Sequence, residues 1–263
     1  FNFIYVSCAM ELNFKVFGEG EPVIILHGFL GSLDNWQSVA KDLSYGFKVY
    51  LIDLRNHGKS EHTSKHSYAL MSEDLKDFFQ QHNITNASVI GHSMGGKTAM
   101  FFAALNPILV AQLVVIDIGV KYYPPHHQEV LGALNSIDLS LVTSRQEVEA
   151  HLMQKLNDNG VVQWLMKNLK REGDAFQWKF NLKDLSTEIE NIGEALPEEA
   201  EFLNPTLFIR GGNSHYVLDE DIEGIMQHFP LVKMETITNA GHWVHAERPH
   251  EFNDVLQKFL KNH

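Results

Sequence analysis

The chain has 263 residues, 44% apolar and 21% charged, which suits one globular domain with room for an insertion and argues against disorder. Its formal net charge of −12, with no basic cluster to offset it, speaks against a phosphate-binding surface and so against nucleic acid as a partner. The single cysteine, Cys8, rules out an internal disulfide framework and fits a reducing compartment. No apolar run approaches the roughly 20 residues that span a bilayer.

The opening "FNFIYVSCAM" lacks a basic leader and a long apolar stretch, so it is not read as a signal peptide. A strand is expected at Phe3–Val6 and a second at Leu12–Phe17; Met10 is an alternative start, which would make residues 1–9 an upstream extension. "VIILHG" follows the turn "GEGEP" and reads as a strand buried on both faces. Trp36, Val39, Ala40 and Leu43 recur at helical spacing, "KVYLIDL" is the next strand, and Tyr68, Met71, Leu75, Phe78 and Phe79 mark a second helix. After the strand "ASVI" come a glycine-rich turn, an apolar helix from about Lys97 to Leu105 and the stop Asn106-Pro107. "LVVID" at Leu113–Asp117 is one more buried strand.

From about Gly119 to Leu203 no buried strand is expected. Leu131–Leu134, Val148–Leu156 and Val161–Leu169 read there as short amphipathic helices. The alternation resumes with "TLFIR", "VKMETI" and a closing helix that Pro249 opens. Strands alternating with helices predict an α/β fold with a mostly parallel sheet. Its core would comprise residues 1–118 and 204–263, interrupted by a helical insertion over 119–203.

Chemistry concentrates in three stretches. "GHSMGG", Gly91–Gly96, lies between a strand and a helix, the context of a nucleophile elbow. There Ser93 would sit at a helix N-terminus, on a turn so crowded that only small neighbours fit. "HGFLGS", His27–Ser32, ends another strand, and the backbone N–H groups of Phe29 and Met94 would together stabilise an oxyanion. "NAGHWVHAERP" places His242 in a loop after the last strand. A serine hydroxyl needs such a base near neutral pH, and His245 is the competing choice.

In order and spacing, "HGFLGS", "GHSMGG" and "AGHWVHAERP" resemble the α/β-hydrolase superfamily. With "GSLDNW", "LRNHGKS", "VVIDIG" and "FIRGGNSHYV" the resemblance narrows to YbfF-type bacterial esterases and their mitochondrial relatives. It runs from about Leu12 to the C-terminus and is weakest in the insertion. The resemblance implies a roughly eight-stranded sheet, a helical cap over the active site, no metal, no organic cofactor and a place in the bacterial cytoplasm. It also implies hydrolysis of small-molecule esters or thioesters by Ser, His and Asp.

The acid is not where many α/β-hydrolases carry it, in the loop after "TLFIR", because Ser214 occupies that position. Asp219 and Asp221 follow it but suit a helix start. Asp53 ends "KVYLID" and suits a structural role beside "RNHG". Asp117 closes a buried strand next to that of Ser93, at the same sheet edge, and would need a partner such as His242. The resembling family carries its acid at the end of this strand, which points to Asp117 and leaves Ser214 and His215 to shape the wall beside His242.

A substrate pocket is expected to involve His27, His92, Tyr122, Trp164, Trp178, His215 and Trp243, with Phe29 and Met94 on the core side. Most of the insertion's aromatics, Trp164, Phe176, Trp178 and Phe180 with Tyr122 and Tyr123 at its entry, would pack the cap's own core, and some would line the pocket. Lys97 reads as a structural helix residue, and His126 and His127, with no carboxylate at ligand spacing, as solvent-facing. The expected function is a carboxylesterase-like serine hydrolase that forms an acyl-enzyme. Acyl-CoA thioesterase, carbon–carbon bond hydrolase or perhydrolase chemistry on the same triad is an alternative, and a non-catalytic receptor is the rival of another class. Serine at the elbow disfavours a dehalogenase or epoxide hydrolase.

Overall fold

The strand and helix runs follow one another as expected in a computed structural model, which describes residues 10–125, 127–173 and 175–261. In chain order come β1 (Phe14–Phe17), β2 (Glu21–Leu26), α1 (Gln37–Leu43), β3 (Phe47–Ile52), α2 (Tyr68–Gln81), β4 (Ala87–His92), α3 (Met94–Leu105) and β5 (Val110–Ile116). The insertion holds α4 (Gln128–Asn135), α5 (Arg145–Leu156), α6 (Asn159–Met166), β6 (Leu169–Glu172), β7 (Ala175–Trp178), α7 (Leu182–Thr187) and α8 (Ile189–Ile192). β8 (Thr206–Gly211), α9 (Ile222–His228), β9 (Val232–Ile237), α10 (Val244–Glu247) and α11 (Pro249–Lys261) complete the chain.

Among the described residues the main sheet has seven strands, ordered β1-β3-β2-β4-β5-β8-β9. All are parallel apart from β1, which runs antiparallel beside β3. The roughly eight strands expected included Phe3–Val6, which lies outside the described residues. The strand expected from Leu12 begins at Phe14, though Leu12 itself is buried.

Side chains alternate across each central strand, so the sheet needs cover on both faces. Ile24, Leu26, Val89, Val115 and Phe208 join the apolar cluster that includes α2, α3 and the insertion. Their neighbours Val23, Ile25, Ile90, Val114, Ile116, Leu207 and Ile209 join the cluster beneath α1 and α11.

The insertion departs from its expected all-helical character. Residues 169–172 and 175–178 pair as an antiparallel hairpin, with Gly173 at φ +62° after the first strand. Phe176 and Trp178 alternate inward on β7, and Trp178 stacks on Phe180. This period of two overrides helix formation here. α6 consequently stops at Met166 rather than continuing to Leu169. It starts where the Asp158 side chain accepts the Val161 N–H at 3.1 Å, capping an otherwise unpaired donor. No described helix is long and apolar enough to cross a membrane.

Because the central strands are parallel, the loops after β2, β4, β5, β8 and β9 open on one edge of the sheet. That edge depends on α11, whose Phe252 is wholly buried beneath the opposite face. Phe252→Ala should lower the free energy of unfolding by about 3–5 kcal/mol, the usual cost of emptying an aromatic site in a core. Urea denaturation checks this, and a loss below about 1 kcal/mol would show that α11 is not needed to hold the sheet.

Candidate active site

Ser93 sits between the last residue of β4 and the first of α3, with φ +52° and ψ −119°, outside the regions an L-residue ordinarily occupies. Such geometry costs on the order of 1–3 kcal/mol and persists only where the surroundings enforce it. They do so by close approach. A Cβ on Gly91 would stand 2.1 Å from the Gly95 carbonyl oxygen, and one on Gly95 would stand 2.5 Å from that of His27. The turn is thus pressed against the loop after β2, where a Cβ on Gly28 would stand 3.3 Å from the Ser93 Cβ.

That loop carries Phe29. Among the described residues no protein acceptor stands against the Phe29 N–H, and Met94 is the first residue of α3, whose leading N–H groups lack intrahelical acceptors. Two buried histidines brace the loop from below. His27 donates from Nδ1 to the Gly28 carbonyl at 2.8 Å and accepts the Leu54 N–H on Nε2 at 3.0 Å. His57 donates from Nδ1 to the Arg55 carbonyl at 2.9 Å and accepts the Leu30 N–H on Nε2 at 3.1 Å. Each ring must be neutral to do both, and burial lowers both pKa values.

Asp117 follows β5 in left-handed conformation, with φ +51°. Its carboxylate has no exposed surface and takes three donors: the Gly211 N–H at 3.0 Å on Oδ1, and the Ser214 hydroxyl at 2.5 Å and His242 Nδ1 at 2.7 Å on Oδ2. This arrangement puts the His242 proton on Nδ1 and leaves the lone pair on Nε2. His242 is held further by the His92 Nε2–H, which donates to its carbonyl at 2.8 Å, and by Tyr216, whose ring stacks on it at 3.9 Å and 16°. Burial beside Asp117 pushes the Tyr216 phenol up to about 12, so it stays neutral.

The alternative acids are engaged elsewhere. Asp219 pairs with Arg210 and Asp221 with Lys121. Asp53 accepts from Asn13 and from the Leu33 and Lys59 N–H groups. The competing base, His245, is stacked on Trp36 at 4.0 Å, and burial drives its pKa down to about 3, too weak a base for this chemistry.

Ser93 and His242 line one cleft of about 560 Å³. Of the expected pocket residues, His92, Trp164 and Trp243 line it together with Phe29. Four others do not. His27 is committed to its backbone brace, and Trp178 packs inside the insertion. Tyr122 is half exposed beside Glu190 and Asn191, because Tyr123 takes the inward position. His215 is exposed, since its neighbours Ser214 and Tyr216 turn inward. Ser214 is therefore not a free wall residue but a donor to Asp117.

Conversely, His127 is not solvent-facing: its ring meets that of Phe29 edge-on at 4.9 Å and lines the cleft. Its neighbour His126 lies outside the described residues. Gly160, Gln163, Trp164 and Lys167 also line the cleft. Their spacing is the second stripe of α6, opposite the buried Val162, Leu165 and Met166, and that two-faced pattern was available in the sequence. No group of three or more His, Cys, Asp or Glu that could hold a metal ion occurs among the described residues.

A strained serine at a strand–helix turn, opposite a histidine tied to a buried carboxylate on the edge of a parallel sheet, defines a hydrolase of α/β type. A family model described as the α/β hydrolase fold matches residues 21–249, and the chain belongs to that family. A putative esterase/lipase of Haemophilus influenzae is 40% identical over 242 residues, covering 91% of this chain and 83% of the relative. Esterase YbfF of Escherichia coli is 36% identical over 244 residues, covering 92% of this chain and 93% of the relative. A solved marine microorganism esterase superposes with a TM-score of 0.93 at 41% identity, covering 95% of this chain and 99% of that one. These relatives place the chain among the carboxylesterase-like hydrolases of the family.

Burial holds the His57 and His92 pKa values well below the ordinary imidazole value and those of His66 and His245 at about 3, so these rings are neutral in the folded chain. Unfolded, each protonates near 6.5, so the unfolded state binds more protons as pH falls. Their stabilisation is complete above about pH 6.5 and declines on acidification, by up to about 1.4 kcal/mol per pH unit for each ring. Urea midpoints at pH 7.5 and 5.0 should therefore differ markedly; equal midpoints would mean the rings are charged when folded.

Proposed function

We propose that this chain is a serine hydrolase of carboxylic esters, with Ser93 as nucleophile, His242 as general base and acid, and Asp117 as the orienting acid. The observation that carries the reading is the 2.7 Å contact between His242 Nδ1 and a fully buried Asp117, on the cleft that Ser93 also lines. Ser93 Oγ attacks the acyl carbonyl while His242 Nε2 takes its proton. The resulting imidazolium is stabilised by Asp117, and the oxyanion by the Phe29 and Met94 N–H groups, worth a factor of about 100–1000 per donor. His242 returns the proton to the departing alcohol, leaving an acyl-enzyme. Water activated by the same ring then releases the acid. Ser214 keeps the carboxylate oriented by donating to the oxygen that faces His242.

Residues 119–203 act as a cap whose α6 forms one wall of the cleft. The cleft volume suits a small to medium acyl group and its alcohol. Among its described lining residues Lys167 is the one lysine or arginine, set against the carboxylates of Asp158 and Glu247. This balance favours an uncharged alcohol over a polyphosphate leaving group. The esterase relatives support the same class of reaction.

A panel of p-nitrophenyl esters of rising chain length, extended to acyl-CoA thioesters, tests the reading. Ser93→Ala should reduce turnover to background, and Asp117→Asn should lower kcat by about 10⁴, as expected when the histidine takes the wrong tautomer. Ser214→Ala, which removes one hydrogen bond to the acid, should cost about ten-fold. Asp219→Asn should leave kcat within about two-fold, as for a surface pair. Turnover by Ser93→Ala equal to that of the unmodified chain, or a larger loss for Asp219→Asn than for Asp117→Asn, would overturn the assignment.

A further inference from the structure

Lys97 lies one turn beyond Ser93 in α3, fully buried, in a place that disfavours a cation twice over. Burial draws its pKa down from 10.5 to about 7, and the first turn of a helix repels positive charge. An apolar side chain would fill the space at lower cost. What the lysine adds is three hydrogen bonds. Nζ donates to the carbonyl oxygens of Val120 at 3.2 Å, Lys121 at 2.7 Å and Glu194 at 2.6 Å, matching the three protons of an ammonium group.

These carbonyls belong to the two ends of the insertion. The outgoing chain holds Val120 and Lys121, and the returning chain holds Glu194. The two are paired by the Tyr123 N–H to Gly193 carbonyl bond at 2.8 Å and the Leu196 N–H to Val120 carbonyl bond at 2.8 Å. The outgoing chain also reaches the base. Tyr123 accepts the Gly119 N–H at 2.8 Å and donates to the Tyr216 carbonyl, and Tyr216 is the ring stacked on His242.

We propose that Lys97 is a positioning residue that pins both ends of the cap to the helix beginning at Ser93, and thereby sets how well the cap wall holds long acyl chains. This rests on the serine-hydrolase reading. Val161 and Trp164, on the cap side of the cleft, shift when the pin is lost, while the core-side contacts of a short acyl group stay in place.

The test compares Lys97→Met, of similar length but without donors, with Lys97→Gln, which retains two. Hydrogen exchange of the Tyr123 and Leu196 amides should accelerate at least ten-fold in Lys97→Met and less in Lys97→Gln, with amides of the central strands unchanged. On p-nitrophenyl octanoate kcat/KM should fall about ten-fold, mainly through KM, whereas on the acetate it should stay within about two-fold. Equal losses on both esters, or unchanged exchange at Tyr123 and Leu196, would overturn the proposal. So would failure of both variants to fold, since the lysine would then serve the whole fold rather than the cap. If the unmodified chain turns over no ester and exchange still responds, the catalytic reading falls and the pin survives; if Ser93-dependent turnover is intact and both readouts are flat, only the pin falls.

Discussion

A carboxylate without exposed surface has to be surrounded by donors, and those around Asp117 come from separate parts of the chain. Gly211 ends β8, Ser214 lies in the loop that follows it, and His242 lies in the loop after β9. Leaving that charge unpaired would cost several kcal/mol, so these segments hold one another in register around the end of β5. The histidine cannot drift without stranding the charge. Tyr216 covers the ring, and the His92 hydrogen bond fixes the backbone that carries it. Orientation of His242 is thus a by-product of how the sheet edge satisfies one buried group.

The opposite wall is organised by two neutral rings, with a carboxylate beside them. The rings of His27 and His57 each donate on one nitrogen and accept on the other, tying residues 28–30 to residues 54 and 55. Asp53 then clamps the start of the following turn through the Leu33 N–H. A protonated imidazole could not accept, so burial of these rings keeps the loop bearing Phe29 in shape. The turn at Ser93 lies between a wall built on the Asp117 carboxylate and a wall that depends on the tautomers of His27 and His57.

Much of this was legible in the sequence because the features are local. Doubly buried strands read as continuous apolar runs, and the turn at Ser93 needs glycines at set positions. Asp117 betrays itself as an acid closing such a run. What stayed hidden depends on contacts between distant residues. Tyr216 is one loop aromatic among several until the fold stacks it on His242. Trp178 and Trp164 look alike as sequence, yet one packs inside the segment between β5 and β8 and the other lines the cleft. The hairpin at residues 169–178 was missed because its strands are too short for their period of two to show against the neighbouring helices. Ser214 was read as an uncharged residue of the wall beside His242, whereas its hydroxyl completes the shell around Asp117.

The bond between Ser214 and Asp117 also has an evolutionary consequence. The two positions meet at hydrogen-bond distance, so two ionised carboxylates there would repel, while no carboxylate would leave His242 without an anion. An acid migrating between the loop and the strand end must therefore pass through an intermediate with both or neither. A hydroxyl is the side chain that makes the settled states compatible, since it can donate to whichever position is charged. With serine at 214, the pair holds one negative charge beside His242 Nδ1 and a donor to keep it in place.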